Sequence, residues 1–205
     1  MKTKTEAKRQ AILDEATRAF RELGFERASM SEICSRVGGS KATLYNYFAS
    51  KDELFFEVMT HFVDAEFEAA FQSIRSDTDD VAQTLQRFGE RFLKILYSPE
   101  MRANRHLSIR ESGRTELGRL LYERGVLRGQ KSVAEYLQDA MSRGRLRQAD
   151  PVLATQQLYA LLETELLTPF LFQMLGDVTQ ADIEGMTARA LEVFMAAYGP
   201  KTSGV

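Results

Sequence analysis

The chain has 205 residues, of which 44% are hydrophobic and 27% charged, and it carries a net charge of −2. That length supports one or two domains with a substantial core, and the balance excludes a disordered or collagen-like polymer. A single cysteine, Cys34, excludes an internal disulfide and a cysteine-cluster metal site, and fits a reducing compartment. The first ten residues lack the apolar core of a secretory signal. The longest uncharged apolar run, Leu166 to Gly176, is about half of what a bilayer crossing needs, so no membrane partner is expected. The net charge averages unlike parts: residues 1–50 hold nine Lys or Arg, Lys2 and Lys4 among them, against six Asp or Glu, leaving −5 for the remainder. An N-terminal part at +3 can approach phosphate while the rest stays acidic.

Hydrophobic periodicity predicts an all-α protein of about nine helices, with no strand pattern, repeat or low-complexity tract. Residues 5–23 place Ile12, Ala16, Phe20 and Leu23 on one face and end at Gly24. Ser29 followed by Glu32 forms a capping box that opens a second helix. Met30, Ile33, Cys34 and Val37 then recur at the spacing of a buried face, which makes Cys34 a small packing residue. Gly38-Gly39 stops that helix, and Ser40 caps a third whose apolar side is Leu44 and Phe48. Ser50 with Glu53 starts a fourth helix, predicted from Lys51 to about Ser76, with Leu54, Val58, His61, Phe62, Ala65 and Phe71 inward. The polar stretch 76–80 is the clearest break, and Asp79 or Asp80 caps a helix from Val81 to Tyr97. Further helices are predicted from Pro99 to Arg110 and from Thr115 to Arg143. Asp150 caps another, over about 152–175, with Pro151 in its first position. The last covers 180–198. This layout gives a small N-terminal unit, residues 1–54, and a larger helical domain, residues 55–205.

The two short helices and the tight turn between them read as a helix-turn-helix, and the spacing is that of a known family. Gly24-Phe25, Ser29, Glu32-Ile33, Val37-Gly38, the run from Ser40 to Phe48, Ser50-Lys51 and Glu53-Leu54-Phe55 resemble the DNA-binding domain of the TetR family of bacterial repressors. The match covers about residues 8–55. Gly39 departs from it, since many members carry an apolar residue there. Leu120 to Gly125 and Arg145 to Pro151 also look like the C-terminal domain of several TetR-type regulators. The resemblance implies an N-terminal three-helix DNA-binding domain, a larger effector-binding and dimerisation domain, and a bacterial cytoplasmic, nucleoid-associated location.

In a helix-turn-helix the second helix enters the major groove by its N-terminal end. That end is Ser40, Lys41, Ala42 and Thr43. Lys41 can donate to guanine acceptors, Thr43 can bond a base or touch a thymine methyl, and Ala42 permits close approach. Tyr45, Tyr47 and Lys51 are expected to reach phosphates, as is Ser29 at a helix N-terminus. Tyr45 and Tyr47 can also be read as half-buried aromatics, and Lys51 as a solvated lysine.

One such unit covers only a few base pairs, so a homodimer on palindromic double-stranded DNA is expected. Its surface is sought on the last two helices, at Leu158, Leu161, Leu162, Leu166 and Phe170, then Met186, Ala190, Leu191, Val193, Phe194 and Ala197. A small-molecule effector, which the family implies, is sought among Phe88, Phe92, Leu96, His106, Arg110, Tyr122, Tyr159, Glu163 and Phe170. Each apolar member is also plain core. Glu163 lies among leucines, where it binds a cationic ligand, pairs with an arginine such as Arg110, or faces solvent. No cofactor or metal is expected: His61 and His106 are the only histidines, and no phosphate loop or metal-spaced cluster stands out. An enzyme is therefore not expected. The alternatives are a helical protein-interaction module, or a TetR-like activator without an effector.

Overall fold

The computed structural model describes residues 5–61, 64–75 and 80–200. Lys2, Lys4, Phe62 and most of the polar break at 76–79, including the candidate cap Asp79, lie outside them. The fold is all-α; among the described residues the only extended pairing is an isolated bridge between Ser112 and Thr115. No helix among them is long and apolar enough to cross a membrane.

The chain divides into two compact units, one of residues 1–64 and 108–122, the other of residues 65–107 and 123–205. The division expected at 54/55 falls inside a helix. Leu54, Phe55, Phe56, Val58 and Met59 are all buried there, and Phe55 packs edge-on against Phe20 and Phe25 at 4.8 and 4.9 Å. That continuous apolar face carries the first unit on to Asp64.

The first unit contains α1 (Glu6–Arg27), α2 (Met30–Val37), α3 (Lys41–Tyr47) and α4 (Lys51–His61). α1 packs on α2 and α4, and α2 on α3. Ile12, Leu13, Ala16, Ala19 and Phe20 form its apolar stripe. The expected stop at Gly24 is a kink instead: Gly24 turns at φ 77°, and helical residues resume up to Arg27. His61, expected inward, is exposed at the end of α4 with its Nε2 3.3 Å from Gln10 Nε2. The imidazole reaches water there, so burial would only cost it hydration.

The second unit holds most of α5 (Asp64–Arg75), α6 (Val81–Leu96) and the first part of α7 (Pro99–Glu111). It also holds α9 (Leu127–Ser142), α10 (Pro151–Glu163), α11 (Leu167–Leu171) and α12 (Gln180–Tyr198). Asp80 and Asp150 cap α6 and α10 as expected, accepting from Gln83 and from Val152 and Leu153. α12 packs on α6, and α10 on both α9 and α12. Where α6 meets α10 and α12, a Cβ on Gly89 would lie 2.7 Å from Thr187 Cγ2 and 2.8 Å from Leu162 Cδ2.

Two predicted helices are subdivided. The stretch predicted from 51 to 76 is helical on both sides of residues 62–63, which lie outside the described residues, as α4 and α5, and Ala65, expected inward, is exposed. The stretch from 115 to 143 becomes α8 (Leu117–Leu120), a π-helical turn (Leu121–Val126) and α9. The stretch from 152 to 175 breaks after Glu163, because Pro169 lacks an amide hydrogen and its ring clashes with the carbonyl four residues back.

Candidate nucleic-acid interface

The turn is built from side chains that close helix ends. Ser29 Oγ accepts from the Glu32 amide at 3.1 Å, while the Glu32 carboxylate accepts from Arg36 Nε at 2.9 Å. Half of the expected capping box is therefore formed by the serine, and the glutamate serves an ion pair one turn on. α2 ends at Gly38, whose φ of 67° suits only glycine without strain. Lys8 Nζ donates to the carbonyls of Gly38 and Val37 at 3.1 and 3.4 Å, a cation at the negative end of α2. Ser40 Oγ accepts from the Thr43 amide at 3.1 Å and lies 2.9 Å from the Thr43 hydroxyl. Cys34 is buried with its thiol donating to the Gly39 carbonyl.

Leu44 and Phe48 are 3% and 2% exposed, so they fix which side of α3 faces away from the protein. On that side stand Lys41, Ala42, Tyr45 and Asn46, all exposed, with Ser40 preceding them. Thr43 is half-buried beside Ser40. Asn46 is the residue that the motif reading leaves out. Its position four residues after Ala42 was the available signal, and its amide both donates and accepts, as adenine recognition requires.

Tyr47 and Lys51 sit differently. Tyr47 is half-buried, and its hydroxyl accepts from the Thr5 amide at 2.9 Å. Lys51 Nζ donates to the Phe25 and Glu26 carbonyls at 2.8 and 3.3 Å and lies 4.3 Å from the Phe25 ring centre. Both side chains thus hold the ends of α1, and an ammonium with three donors keeps one for another acceptor. Several other cations of this unit are paired, among them Arg9 with Glu57, Arg18 with Glu15, and Arg36 with Glu22 and Glu32. Lys41 is exposed at the first position of α3.

The residues expected around an effector divide between the units. Arg110 and Tyr122 belong to the first, where Arg110 pairs with Glu111 and Tyr122 is 56% exposed. The other seven belong to the second. Phe92 and Phe88 pack on Tyr159 at ring distances of 4.8 and 6.2 Å, joined by Phe67 and Phe71. Leu96 is half-buried on the same helix. His106 stacks on Phe170 at 4.1 Å.

Glu163 is not paired with Arg110. Its Oε1 accepts from the Tyr97 hydroxyl at 2.6 Å and from Arg105 Nη2 at 2.9 Å. Burial, then the bond to Glu163, pushes the Tyr97 phenol above its ordinary value, and burial with the same carboxylate does so for Tyr159. Arg105 and Tyr97 are absent from the sequence-derived set. A signal existed, since Met101, Arg105 and Ser108 share one face of α7, but Ser108 hides the stripe.

Known proteins match along the whole chain. The family model described as bacterial regulatory proteins, tetR family, matches residues 12–58, and that of the AefR-like transcriptional repressor C-terminal domain matches residues 83–200. A TetR-family transcriptional regulator from Mesorhizobium loti is 29% identical with a TM-score of 0.81, covering 97% of this chain and 100% of that one. The flavonoid-responsive regulator FrrA is 29% identical with a TM-score of 0.77 over the same shares. The transcriptional activator FasR of Mycolicibacterium smegmatis is 35% identical over 89 residues, 43% of this chain and 40% of its own. With more than half of its residues matched by one family model and its helix-turn-helix by another, the chain belongs to the TetR family of DNA-binding transcriptional regulators.

Proposed function

We propose that the protein is a homodimeric, ligand-responsive repressor that reads a palindromic operator and releases it on binding a small apolar or amphipathic effector. The observation that carries the reading is the outward face of α3, with Lys41, Ala42, Tyr45 and Asn46 exposed above the buried Leu44 and Phe48. Ser29, Ser40 and Thr43 position that face through their caps. Tyr47 and Lys51 brace α1 and offer a hydroxyl and an ammonium proton to phosphate. The effector and dimerisation functions belong to the helical part after about residue 55, and the protein works in the bacterial cytoplasm, at the nucleoid.

Dimerisation is supported by apolar side chains at the C-terminal helices. Leu158, Leu162, Leu166, Phe170, Ala190, Leu191 and Phe194 are buried within the chain itself, whereas Val152, Leu153, Leu167, Leu171, Phe172, Met174 and Val193 are exposed. A monomer would leave that apolar surface in water. An effector is supported by the aromatic residues around Tyr159, by the part-buried charge pair of Arg105 and Glu163, and by the likeness to a regulator described as flavonoid-responsive. Activation is the second reading, favoured by the likeness to FasR.

The test is recovery of genomic fragments bound by the purified protein at near-physiological salt, against a Lys41→Ala, Tyr45→Ala control that stays dimeric in sedimentation. A palindromic site lost in the control supports the reading. Recovery of no enriched site by the wild-type protein refutes it in favour of a protein-interaction module.

A further inference from the structure

Arg105, Tyr97 and Glu163 form a polar cluster inside the second unit, and its hydrogen bonding is incomplete. The side chains of Arg105 and Glu163 are 14% and 18% exposed. The guanidinium gives Nη2 to Glu163 and lies 4.5 Å from the Phe170 ring centre and 5.1 Å from that of Tyr97. Its Nη1 is buried with no hydrogen-bond partner among the described residues. A buried charged donor without an acceptor is costly. The donor is therefore poised for an oxygen that this chain does not supply.

We infer that this cluster is the polar anchor of the effector site, and that Arg105 Nη1 donates there to an uncharged aromatic ligand through a carbonyl or ether oxygen. The inference rests on the ligand-responsive reading above and names the ligand class for it. Charge decides between an uncharged and an anionic ligand. Arg105 and Glu163 already cancel, so a carboxylate would leave one uncompensated negative charge in a poorly solvated site. A carbonyl oxygen accepts the same hydrogen bond and adds none. Ring faces surround the donor: Phe170 stacks with His106 at 4.1 Å and meets Tyr97 edge-on at 5.9 Å. The place that Phe170 fills over the guanidinium, 4.5 Å from its ring centre, suits a flat aromatic body.

Nη1 is closed to solvent, so the ligand reaches it as Phe170 moves. Phe170 rides on α11, five residues long, between the break after Glu163 and Gln173, a non-glycine residue at φ 56°. α11 has five residues where α7 and α10, which carry Arg105 and Glu163, have 13 each, so it is the element of the cluster that opens at least cost.

The experiment is calorimetric titration of the full-length protein with three probes: flavone, which is uncharged and has a ring carbonyl; flavan, the same skeleton without it; and flavone-6-carboxylate. Flavone is expected to bind about 10- to 100-fold more tightly than flavan, the worth of a hydrogen bond to a charged donor. Flavone-6-carboxylate is expected to bind more weakly than flavone. In R105M/E163Q, which removes both charges together and so avoids a stranded ion, flavone is expected to fall to the flavan level. In E163Q, which leaves the guanidinium uncompensated, the preference is expected to turn towards the carboxylate.

Melting and sedimentation establish that each variant is folded and dimeric. An unchanged flavone-to-flavan ratio in folded R105M/E163Q, or no flavone binding to the wild type, overturns the anchor. Operator release, followed by fluorescence anisotropy in the same samples, separates the two levels. A compound that releases operator with equal potency from wild type and R105M/E163Q leaves the ligand-responsive reading standing and ends the anchor.

Discussion

Around the turn of the first unit, hydroxyls and ammonium groups bond to the backbone at helix ends, whereas the second unit buries three polar side chains drawn from separate parts of the chain. Ser29 and Ser40 each reach an amide three residues on, and Lys8 and Lys51 cover the last carbonyls of α2 and α1. Tyr97, Arg105 and Glu163 instead meet across separations of 58 and 66 residues. The first arrangement fixes the shape of a surface and keeps most charges in water. The second places a charge pair where removing one member strands the other. The surface proposed to read DNA and the interior proposed to take a ligand therefore make opposite uses of the same residue types.

The largest effect that would sharpen this contrast is Arg105→Met, which leaves Glu163 buried without its cation. It is expected to cost about 3–5 kcal/mol in chemical denaturation, and a loss within experimental error would break the contrast. Next come Lys41→Ala and Tyr45→Ala, each expected to weaken operator binding by about 1–3 kcal/mol without moving the melting temperature. A drop in melting temperature would show that α3 contributes to the fold as well as the surface. Gly89→Ala gains helix propensity of about 1 kcal/mol but pushes a methyl into Thr187 and Leu162, and overpacking of this kind costs about 1–3 kcal/mol. With both neighbours buried, a net loss of about 1 kcal/mol is expected in the same denaturation assay.

Lys51→Ala tests a smaller term with two readouts. The salt slope of operator binding is expected to fall by about 1, together with about 1 kcal/mol of stability from the uncovered carbonyls. Reduced stability at an unchanged slope would assign Lys51 to the end of α1 alone. Smallest is the alkaline response of Tyr97 and Tyr159, whose folded phenols are held above the ordinary value of 10. A raised value favours the neutral form, so its stabilisation is complete below pH 10 and is lost as pH rises above it. Ultraviolet titration should find three of the seven tyrosines, Tyr97, Tyr159 and Tyr136, which burial also raises, ionising late, and that delay should vanish in denaturant.

What the sequence disclosed follows the range of the interaction. The caps at Ser29, Ser40, Asp80 and Asp150 are readable because donor and acceptor lie two or three residues apart. The buried side of α2 is readable because Met30, Ile33 and Cys34 recur at helical spacing. Periodicity marks a residue as buried without naming the neighbour that covers it. For that reason Leu158, Leu162 and Phe194 serve the chain's own core although they looked equally suited to a partner. The break before α11 is legible in Pro169, and the capping box of Thr179 with Asp182 in their spacing, although the hydrophobic pattern alone marks neither. On the exposed side of α3, Lys41, Ala42 and Tyr45 stand where the motif puts them, while the Tyr47 contact to Thr5 spans 42 residues and leaves no local trace. Arg105 and Glu163 could not be paired by reading, since arginines on the same helix are indistinguishable until a fold selects one.

The hydrogen bond from the Thr5 amide to the Tyr47 hydroxyl, with the bonds from Lys8 to Val37 and Gly38, ties the start of α1 to the far end of α3 and to the turn. A segment fused ahead of residue 5 begins beside the helix proposed to meet DNA. Affinity tags and fluorescent labels for operator measurements therefore belong at the other terminus, and an amino-terminal tag should be cleaved before any affinity is compared between variants.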